Sequence, residues 1–265
     1  MRKLFLLSLA LVFSLAACGK KTKTNVNDTE MTKDSLYSIE SGKIIPADAY
    51  GSGEKTLYVT LVGHGSLMFE TEGKVIHVDP YSAIADYSKL PKADLIILTH
   101  EHADHLDKNA IAAIRKPSTH FIVSKICNEM LDYGDVMLNG DTTTWMGIGI
   151  KAIPAYNMVN KKPDGQAYHP QGRGNGYIFT FADKKVYVAG DTENIPEMEQ
   201  LKGQIDIAFM PKNLPYTMTD AMFIDAARKV QPKVLYPYHF SEFDEAGIAK
   251  ALEGTGIELK VRPMK

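Results

Sequence analysis

The chain of 265 residues has little cysteine and no strong excess of either charge. Two cysteines can form neither a disulfide-rich scaffold nor a four-cysteine zinc or iron–sulfur site, so any metal ion would have to be held by histidines and carboxylates. A formal net charge of −2 argues against a strongly basic nucleic-acid-binding protein. The sequence also has no Gly-x-Ser-x-Gly pattern, so it predicts no serine nucleophile of the α/β-hydrolase kind.

Near the N-terminus an uncharged, mostly apolar stretch, Leu4–Ala17, follows a basic start. As a helix it would rise about 21 Å, less than the ~30 Å hydrocarbon core of a bilayer, so residues 1–17 are predicted to be a signal peptide. The Leu-Ala-Ala-Cys ending resembles a bacterial lipobox, which implies that Cys18 is acylated. We therefore expect an exported protein that is lipid-anchored to a bacterial membrane, with an ordinary secretory signal as the alternative. Gly19, where Asp would indicate inner-membrane retention, favours the outer membrane, on its periplasmic or cell-surface side.

The rest of the chain divides into a polar stretch and one domain. Residues 18–56 are rich in Lys, Thr, Asn, Asp, Ser and Gly without apolar periodicity, and are predicted to be a tether. Over residues 57–265, strand patterns first accumulate and then alternate with helical patterns, and the second half repeats this order. That order predicts an α/β fold with two sheets covered outside by helices, a four-layer αββα sandwich. Cys127 is predicted to be a small buried apolar residue.

The strongest functional signal is a His-Glu-His-Ala-Asp-His run directly after the apolar stretch Ala93–Leu98. Such a stretch predicts a strand buried on both faces, and the loops after such strands bind ligands in α/β proteins. Imidazole and carboxylate groups bind zinc, iron and manganese. His100 and His102 can hold one ion, while Asp104 and His105 are offset to reach a second. Two ions ~3.5–4 Å apart stabilise both the attacking and the leaving oxygen of a hydrolysis. A surface histidine cluster is the alternative.

The His-x-His-x-Asp-His motif after a buried strand resembles the hallmark of the metallo-β-lactamase superfamily, over roughly residues 57–265. The resemblance implies that Asp191, at the end of a strand, bridges two metal ions and that His239, at the end of a later strand, binds the second ion. It also implies that a buried Asp79 holds a ligand imidazole. Turn or cap roles for these three residues are the alternatives. Four short motifs (Gly-His-Gly-Ser, Val-Asp-Pro, Gly-Asp-Thr-Glu and Pro-Tyr-His) are similar to the branch containing L-ascorbate-6-phosphate lactonase and N-acyl-phosphatidylethanolamine phospholipase D.

One ligand departs from this pattern. The family places the third histidine of the first metal after a middle strand, and the matching strand Ile148–Ile153 is followed by Asn157. We therefore assign His169, twelve residues later, as that ligand and predict that Asn157 lines the pocket. An incomplete first site is the alternative.

Four further residues are candidates for contact with a substrate. His64, in a Gly-flanked bend, is either a pocket wall or a turn residue. The glycine-rich segment 171–176 predicts a mobile loop over the metals, in which Arg173 could grip an anion, or a solvated loop. Lys212, after a predicted strand, and Tyr216 are candidates of the same kind.

Together these features predict a metal-dependent hydrolase that activates water at a dinuclear His/Asp site. Asp104 and Asp191 would be the catalytic carboxylates, and the cofactors would be two divalent ions, zinc before manganese or iron. The substrate would be an ester, lactone or phosphodiester, either a small molecule or a lipid head group, and no nucleic-acid partner is expected. A non-catalytic metal-binding surface lipoprotein and a β-lactam hydrolase are the alternatives.

Overall fold

The structure is a computed structural model and describes residues 38–39, 43–44 and 47–264. The predicted signal peptide, Cys18 and most of the predicted tether lie outside the described residues. Within the described residues, no helix is long and apolar enough to cross a membrane. A short antiparallel pair comes first, formed by strands β1 (Ser38–Ile39) and β2 (Lys43–Ile44).

The main body contains two seven-stranded sheets, in each of which the strands lie in chain order. The strands of the first sheet are β3 (Ala47–Tyr50), β4 (Leu57–Gly63), β5 (Ser66–Thr71), β6 (Lys74–Val78), β7 (Leu95–Leu98), β8 (His120–Val123) and β9 (Asp135–Val136). Those of the second sheet are β10 (Thr142–Trp145), β11 (Ile148–Ala155), β12 (Gly174–Phe181), β13 (Lys184–Val188), β14 (Ile207–Pro211), β15 (Val234–Tyr238) and β16 (Glu258–Leu259). In both sheets the first four strands pair antiparallel and the later strands pair parallel. The loops that follow the parallel strands therefore lie at the same end of each sheet.

Four α-helices and three short 3-10 helices connect the strands. The α-helices are α1 (Lys108–Ile114), α2 (Lys125–Leu131), α3 (Asp220–Val230) and α4 (Glu245–Ala251), and the 3-10 helices are Gly53–Lys55, Tyr87–Lys89 and Pro196–Leu201. The N-cap of α1 is Asp107, whose carboxylate accepts hydrogen bonds from the backbone N–H groups of Asn109 and Ala110. This cap starts α1 immediately after the histidine motif and thereby fixes where the motif's loop ends.

Three apolar clusters define the layers of the fold. The central cluster joins inward-facing residues of both sheets, including the aromatic contact of Phe69 with Phe179, whose ring centroids lie 5.4 Å apart. A second cluster packs the outer face of the second sheet against α3 and α4, and a third, which includes Cys127, packs the first sheet against α1 and α2. Two sheets face to face with helices outside both form the four-layer αββα sandwich, so the predicted fold class is confirmed.

The predicted tether reaches too far along the chain. The prediction extends the tether to residue 56, but Ala47–Tyr50 forms edge strand β3 and pairs antiparallel with β4. Tyr50 packs against the central cluster and its hydroxyl contacts that of Tyr236, while Asp48 accepts a hydrogen bond from Arg262 at 2.9 Å. These partners lie near the other end of the chain, so the local polar composition could not indicate that this stretch is ordered.

Candidate metal centre

The metal-ligand residues predicted from the sequence meet where the loops of the two sheets converge. The histidine motif follows β7 of the first sheet, whereas Asp191 follows β13 and His239 follows β15 of the second. His169 lies in the long connection between β11 and β12. Side chains separated by more than a hundred residues in sequence are thereby brought within reach of a common ion.

The first group of potential ligands consists of His100, His102, His169 and Asp191, whose ligand atoms all lie within 4.8 Å of one another. The Nδ1 atom of His102 is 3.1 Å from Nε2 of His100 and 3.2 Å from Nε2 of His169. Nitrogens bound to one tetrahedral zinc ion at ~2.0–2.1 Å lie about 3.3 Å apart. The three imidazoles are therefore arranged as ligands of a single ion would be.

The second group consists of His64, Asp104, His105 and His239, whose ligand atoms also lie within 4.8 Å of one another. Nε2 of His239 is 3.4 Å from Oδ2 of Asp104. The carboxylate of Asp191 approaches this group as well, at 3.5 Å from Nε2 of His105 and 3.4 Å from Nε2 of His239. Asp191 therefore lies between the two groups and contacts histidines of both.

Three buried polar atoms at this centre have no hydrogen-bond partner in the part of the chain that the structure describes. They are Nε2 of His105, Nε2 of His239 and Oδ1 of Asp191. A buried polar atom without a partner destabilises the fold by roughly 1–3 kcal/mol, so such atoms are rare in proteins. All three face one another, and lone pairs of imidazole and carboxylate are what a divalent cation binds. The residues present therefore fit a metal site.

Asp79 orients two of the imidazoles. Its buried carboxylate accepts hydrogen bonds from Nδ1 of His105 at 2.8 Å and from the Thr99 hydroxyl at 2.5 Å. The Thr99 hydroxyl in turn lies 2.9 Å from Nδ1 of His100. With Nδ1–H engaged in this way, each imidazole keeps the lone pair on Nε2 for a metal ion.

Asn157 does the same for His169. Its Oδ1 accepts hydrogen bonds from Nδ1 of His169 at 2.7 Å and from the backbone N–H of His169 at 2.8 Å. Its Nδ2 donates to the Tyr216 carbonyl at 2.8 Å and to Oε1 of Glu193 at 3.2 Å. Asn157 is 6% exposed, so most of its surface contacts protein, and its side chain lies behind His169.

A family model described as a beta-lactamase superfamily domain matches residues 58–239. The chain belongs to the metallo-β-lactamase superfamily. The predicted superfamily is thus confirmed over most of the domain, including every residue of the two ligand groups.

Individual relatives agree with this membership. A UPF0173 metal-dependent hydrolase of Archaeoglobus fulgidus is 27% identical over 223 residues, covering 78% of this chain and 95% of its own. A crystal structure of a protein of Parabacteroides distasonis named as a metal-dependent hydrolase has a TM-score of 0.79 and 45% identity, over 83% of this chain and 100% of that one. Igni18, a metallo hydrolase of Ignicoccus hospitalis, has a TM-score of 0.65 at 24% identity over 78% of this chain and 95% of that one, which supports the fold alone. The family and these names confirm the predicted class, a hydrolase of this fold.

Burial and neighbouring charges set the protonation states at the centre of this superfamily member. Burial, with the neighbouring imidazoles, lowers the pKa of His100 and of His102, which keeps both in the neutral form that binds metal. Burial alone would raise the pKa of Asp104 and of Asp191. For Asp104 the contacts of its carboxylate with His239 and His64 outweigh burial, and for Asp191 the neighbouring imidazoles of His239 and His105 do so. Both carboxyl groups are therefore ionised.

The backbone is strained at three residues of the superfamily site. His64, Asp79 and His239 have φ values of 50°, 46° and 51°, in the left-handed region that non-glycine residues seldom adopt. Each of them directly follows the last residue of a strand. The backbone N–H of His239 donates to the His64 carbonyl at 2.9 Å. Such strain persists where the surrounding structure enforces it, and it is common at functional sites.

A cavity of about 480 Å³ opens onto the two ligand groups, and we call it the metal-site cavity. It is lined by His64, His102, Asp104, Lys162, Tyr168, His169, Asp191, Asn213, Tyr216 and His239. Two of the predicted substrate residues, His64 and Tyr216, are therefore in its wall. Lys162, Tyr168 and Asn213 were not singled out in the sequence. Tyr168 precedes a predicted ligand and Asn213 follows a predicted contact, but no local pattern marks Lys162.

The other two predicted substrate residues face existing partners. Lys212 does not reach the metal-site cavity: its ammonium lies 2.8 Å from the carboxylate of Asp220 and donates to the Glu242 carbonyl at 3.0 Å. Arg173 lies at a narrow adjoining cleft, where its guanidinium donates to Glu101. The predicted mobile loop is also shorter than expected, because β12 already begins at Gly174.

The early start of β12 has a packing reason. A Cβ atom on Gly176 would lie 2.6 Å from the Ala189 carbonyl oxygen, so only glycine allows β12 and the chain after β13 to approach this closely. Gly174 and Gly176 therefore allow close packing around β12, whereas Gly172, with φ 79°, lies in the turn that precedes this strand.

Proposed function

We propose that this superfamily member is a hydrolase that binds two divalent metal ions, zinc before manganese or iron, and cleaves an ester, a lactone or a phosphodiester. The observation that carries the proposal is the position of Asp191, whose carboxylate contacts histidines of both ligand groups. A carboxylate so placed can hold two ions close together. When bound, such ions lower the pKa of water from ~15.7 towards ~7 and polarise a substrate oxygen.

The side chains divide naturally between the two ions. His100, His102 and His169 would hold the first ion, Asp104, His105 and His239 the second, and Asp191 both. This assignment is supported by the two geometric groups and by the buried atoms that face one another without partners.

Asp104 is suited to orient the attacking water. Its side chain is 33% exposed and faces the metal-site cavity, and its Oδ2 lies 2.9 Å from Nε2 of His64. Because the carboxylate is ionised, it can accept a hydrogen bond from the water and so orient it, with His64 keeping the carboxylate in place.

The substrate is proposed to be a small molecule or a lipid head group. The cavity volume of about 480 Å³ is large enough for either. The resemblance to the branch with L-ascorbate-6-phosphate lactonase and N-acyl-phosphatidylethanolamine phospholipase D favours a lactone or a phosphoester over a β-lactam. The net charge of −2 makes nucleic acid a poor candidate.

The experiment is a substrate panel run together with metal analysis of the purified protein. Bis-p-nitrophenyl phosphate, lactones, simple esters and nitrocefin are offered to the metal-loaded and to the chelator-treated enzyme. We expect two ions per chain, hydrolysis of a phosphoester or lactone, loss of activity with chelator and recovery with zinc or manganese. Undiminished hydrolysis by metal-free protein would refute the mechanism. A metal-loaded protein that is silent towards every substrate would point to the non-catalytic alternative.

We also propose that the protein is exported and held at a bacterial membrane by a lipid on Cys18, with the outer membrane favoured. The second cysteine, Cys127, is 0% exposed and offers a matched control. Labelled fatty acid should be incorporated into wild type and Cys127→Ala but not into Cys18→Ser. Labelling of Cys18→Ser at the wild-type level would contradict the proposal.

A further inference from the structure

The wall of the metal-site cavity contains a lysine, Lys162, whose charge is not balanced by an ion pair with any described residue. Lys162 lines the cavity, and its ammonium has no hydrogen bond or ion pair with any residue that the structure describes. The other two cations considered for substrate contact are paired, Lys212 with Asp220 and Arg173 with Glu101. Lys162 is therefore available to a ligand in a way that these two are not.

The backbone holds Lys162 in place. Its N–H donates to the Gln166 carbonyl at 2.7 Å, and its carbonyl accepts from the backbone N–H of Gly165 at 2.9 Å. An antiparallel bridge between Lys161 and Ala167 closes the same turn. The turn ends at Ala167, two residues before His169, so the position of Lys162 is tied to that of a proposed metal ligand.

The remaining wall favours an anion with an apolar or aromatic substituent. Both carboxylates of the wall, Asp104 and Asp191, belong to the ligand groups, and two divalent ions would outweigh their charge. Tyr168 and Tyr216 pack edge to face beside them, with ring centroids 5.1 Å apart. These rings offer apolar surface and hydroxyl donors, whereas no further carboxylate of the described wall would repel a negative charge.

We propose that Lys162 forms an anion subsite beside the metal centre and that the substrate is a phosphodiester, with one substituent against Tyr168 and Tyr216. This inference rests on the proposed function. A phosphodiester carries its single negative charge on the reacting group, so one non-bridging oxygen can face the metal ions while Lys162 binds the other. A simple ester or a lactone carries no such charge, and nothing in it would engage the ammonium. A charge-assisted hydrogen bond of this kind contributes roughly 10- to 100-fold in binding.

The test compares two substrates that share a leaving group and differ by one charge, methyl p-nitrophenyl phosphate and the neutral dimethyl p-nitrophenyl phosphate. Lys162→Met should raise KM for the diester about 10- to 100-fold and leave that for the triester nearly unchanged, and Lys162→Arg should restore most of the loss. The control is Lys161→Met, because Lys161 is exposed, lies in the same turn and is not part of the cavity wall. An equal effect on both substrates, or on neither, would overturn the proposal.

A second measurement separates this inference from the proposed hydrolysis. Binding of inorganic phosphate to the metal-loaded protein, followed by calorimetry, should weaken about 10- to 100-fold in Lys162→Met and remain unchanged in Lys161→Met. If no substrate is hydrolysed but phosphate binding depends on Lys162, the subsite stands and the proposed hydrolase fails. p-Nitrophenyl succinate carries its negative charge on a carboxylate that is separate from the ester bond. If Lys162→Met impairs the hydrolysis of this ester alone, the phosphodiester assignment is wrong.

Discussion

The sharpest test of the metal centre is the replacement of Asn157 by alanine. In the native protein the Oδ1 atom of Asn157 accepts two hydrogen bonds from His169, at 2.7 and 2.8 Å. A flipped amide is excluded physically, because it would aim Oδ1 at the Tyr216 carbonyl and at the carboxylate of Glu193. Asn157 therefore fixes His169 with a proton on Nδ1 and a free lone pair on Nε2, the atom that lies 3.2 Å from His102.

The size of the effect follows from these contacts. A group that orients a ligand imidazole contributes roughly 10- to 100-fold to metal affinity, which is about 1.4–2.7 kcal/mol. Asn157→Ala should therefore weaken the binding of one of the two proposed ions by this factor and leave the affinity of the other nearly unchanged. It also leaves two buried donors of His169 unpaired, at about 1–3 kcal/mol each, so the protein should unfold at lower urea concentration.

The matched control is Asn160→Ala. Asn160 lies in the same loop and its Nδ2 donates to the Thr217 carbonyl at 2.6 Å, so its loss loosens the same pair of loops without touching His169. Zinc is titrated against a competing chelator for wild type, both variants and His169→Ala. Two ions bound at wild-type affinity in Asn157→Ala would refute the orienting role. Two ions bound at wild-type affinity in His169→Ala would refute the ligand assignment itself.

Two further predictions follow from the surroundings of the site. In Gly65→Ala the new Cβ would lie 2.7 Å from Cε1 of His105, so this imidazole must move. Native mass spectrometry should find the proposed second ion lost or more weakly bound, while far-ultraviolet circular dichroism stays as in wild type. Full retention of both proposed ions would contradict the packing argument. Burial lowers the pKa of His77 from 6.5 to about 4, so this residue's contribution to stability is complete above pH 6.5 and is lost as the pH falls towards 4, by up to about 3 kcal/mol. The free energy of unfolding of the metal-free protein, measured with urea across this pH range, should show that loss in wild type and a smaller loss in His77→Leu. Identical pH dependence of the two proteins would show that His77 is not responsible.

Much of the fold could be read from the sequence because its strands carry local signals. Runs such as Leu95–Leu98 are apolar throughout because both of their faces are covered, and the short hairpin turns are marked by glycine. The four-layer order followed from the succession of such elements. The misjudged stretches, β3 and the start of β12, have polar or glycine-rich sequences, and their order comes from partners far along the chain.

The candidate site divides in the same way. His100, His102, Asp104 and His105 lie within six residues of one another, so their spacing alone indicates a metal centre. Asn157 could be identified as a departure from the family pattern, but its function could not, because an amide at that place can line a cavity or hold a neighbour.

The sequence by itself determined the superfamily, the layer order and the chemical type of the ligands, because each of these depends on patterns spanning a few adjacent residues. Only the tertiary structure decided that His169 and His100 meet across the two sheets, that Asn157 orients His169, and that Lys162 faces the cavity without a partner. These relations depend on which loops converge at the edge of the sandwich. Residues that are far apart in the chain are brought close together only when the two sheets pack. The spacing of neighbouring residues in the sequence does not indicate these contacts.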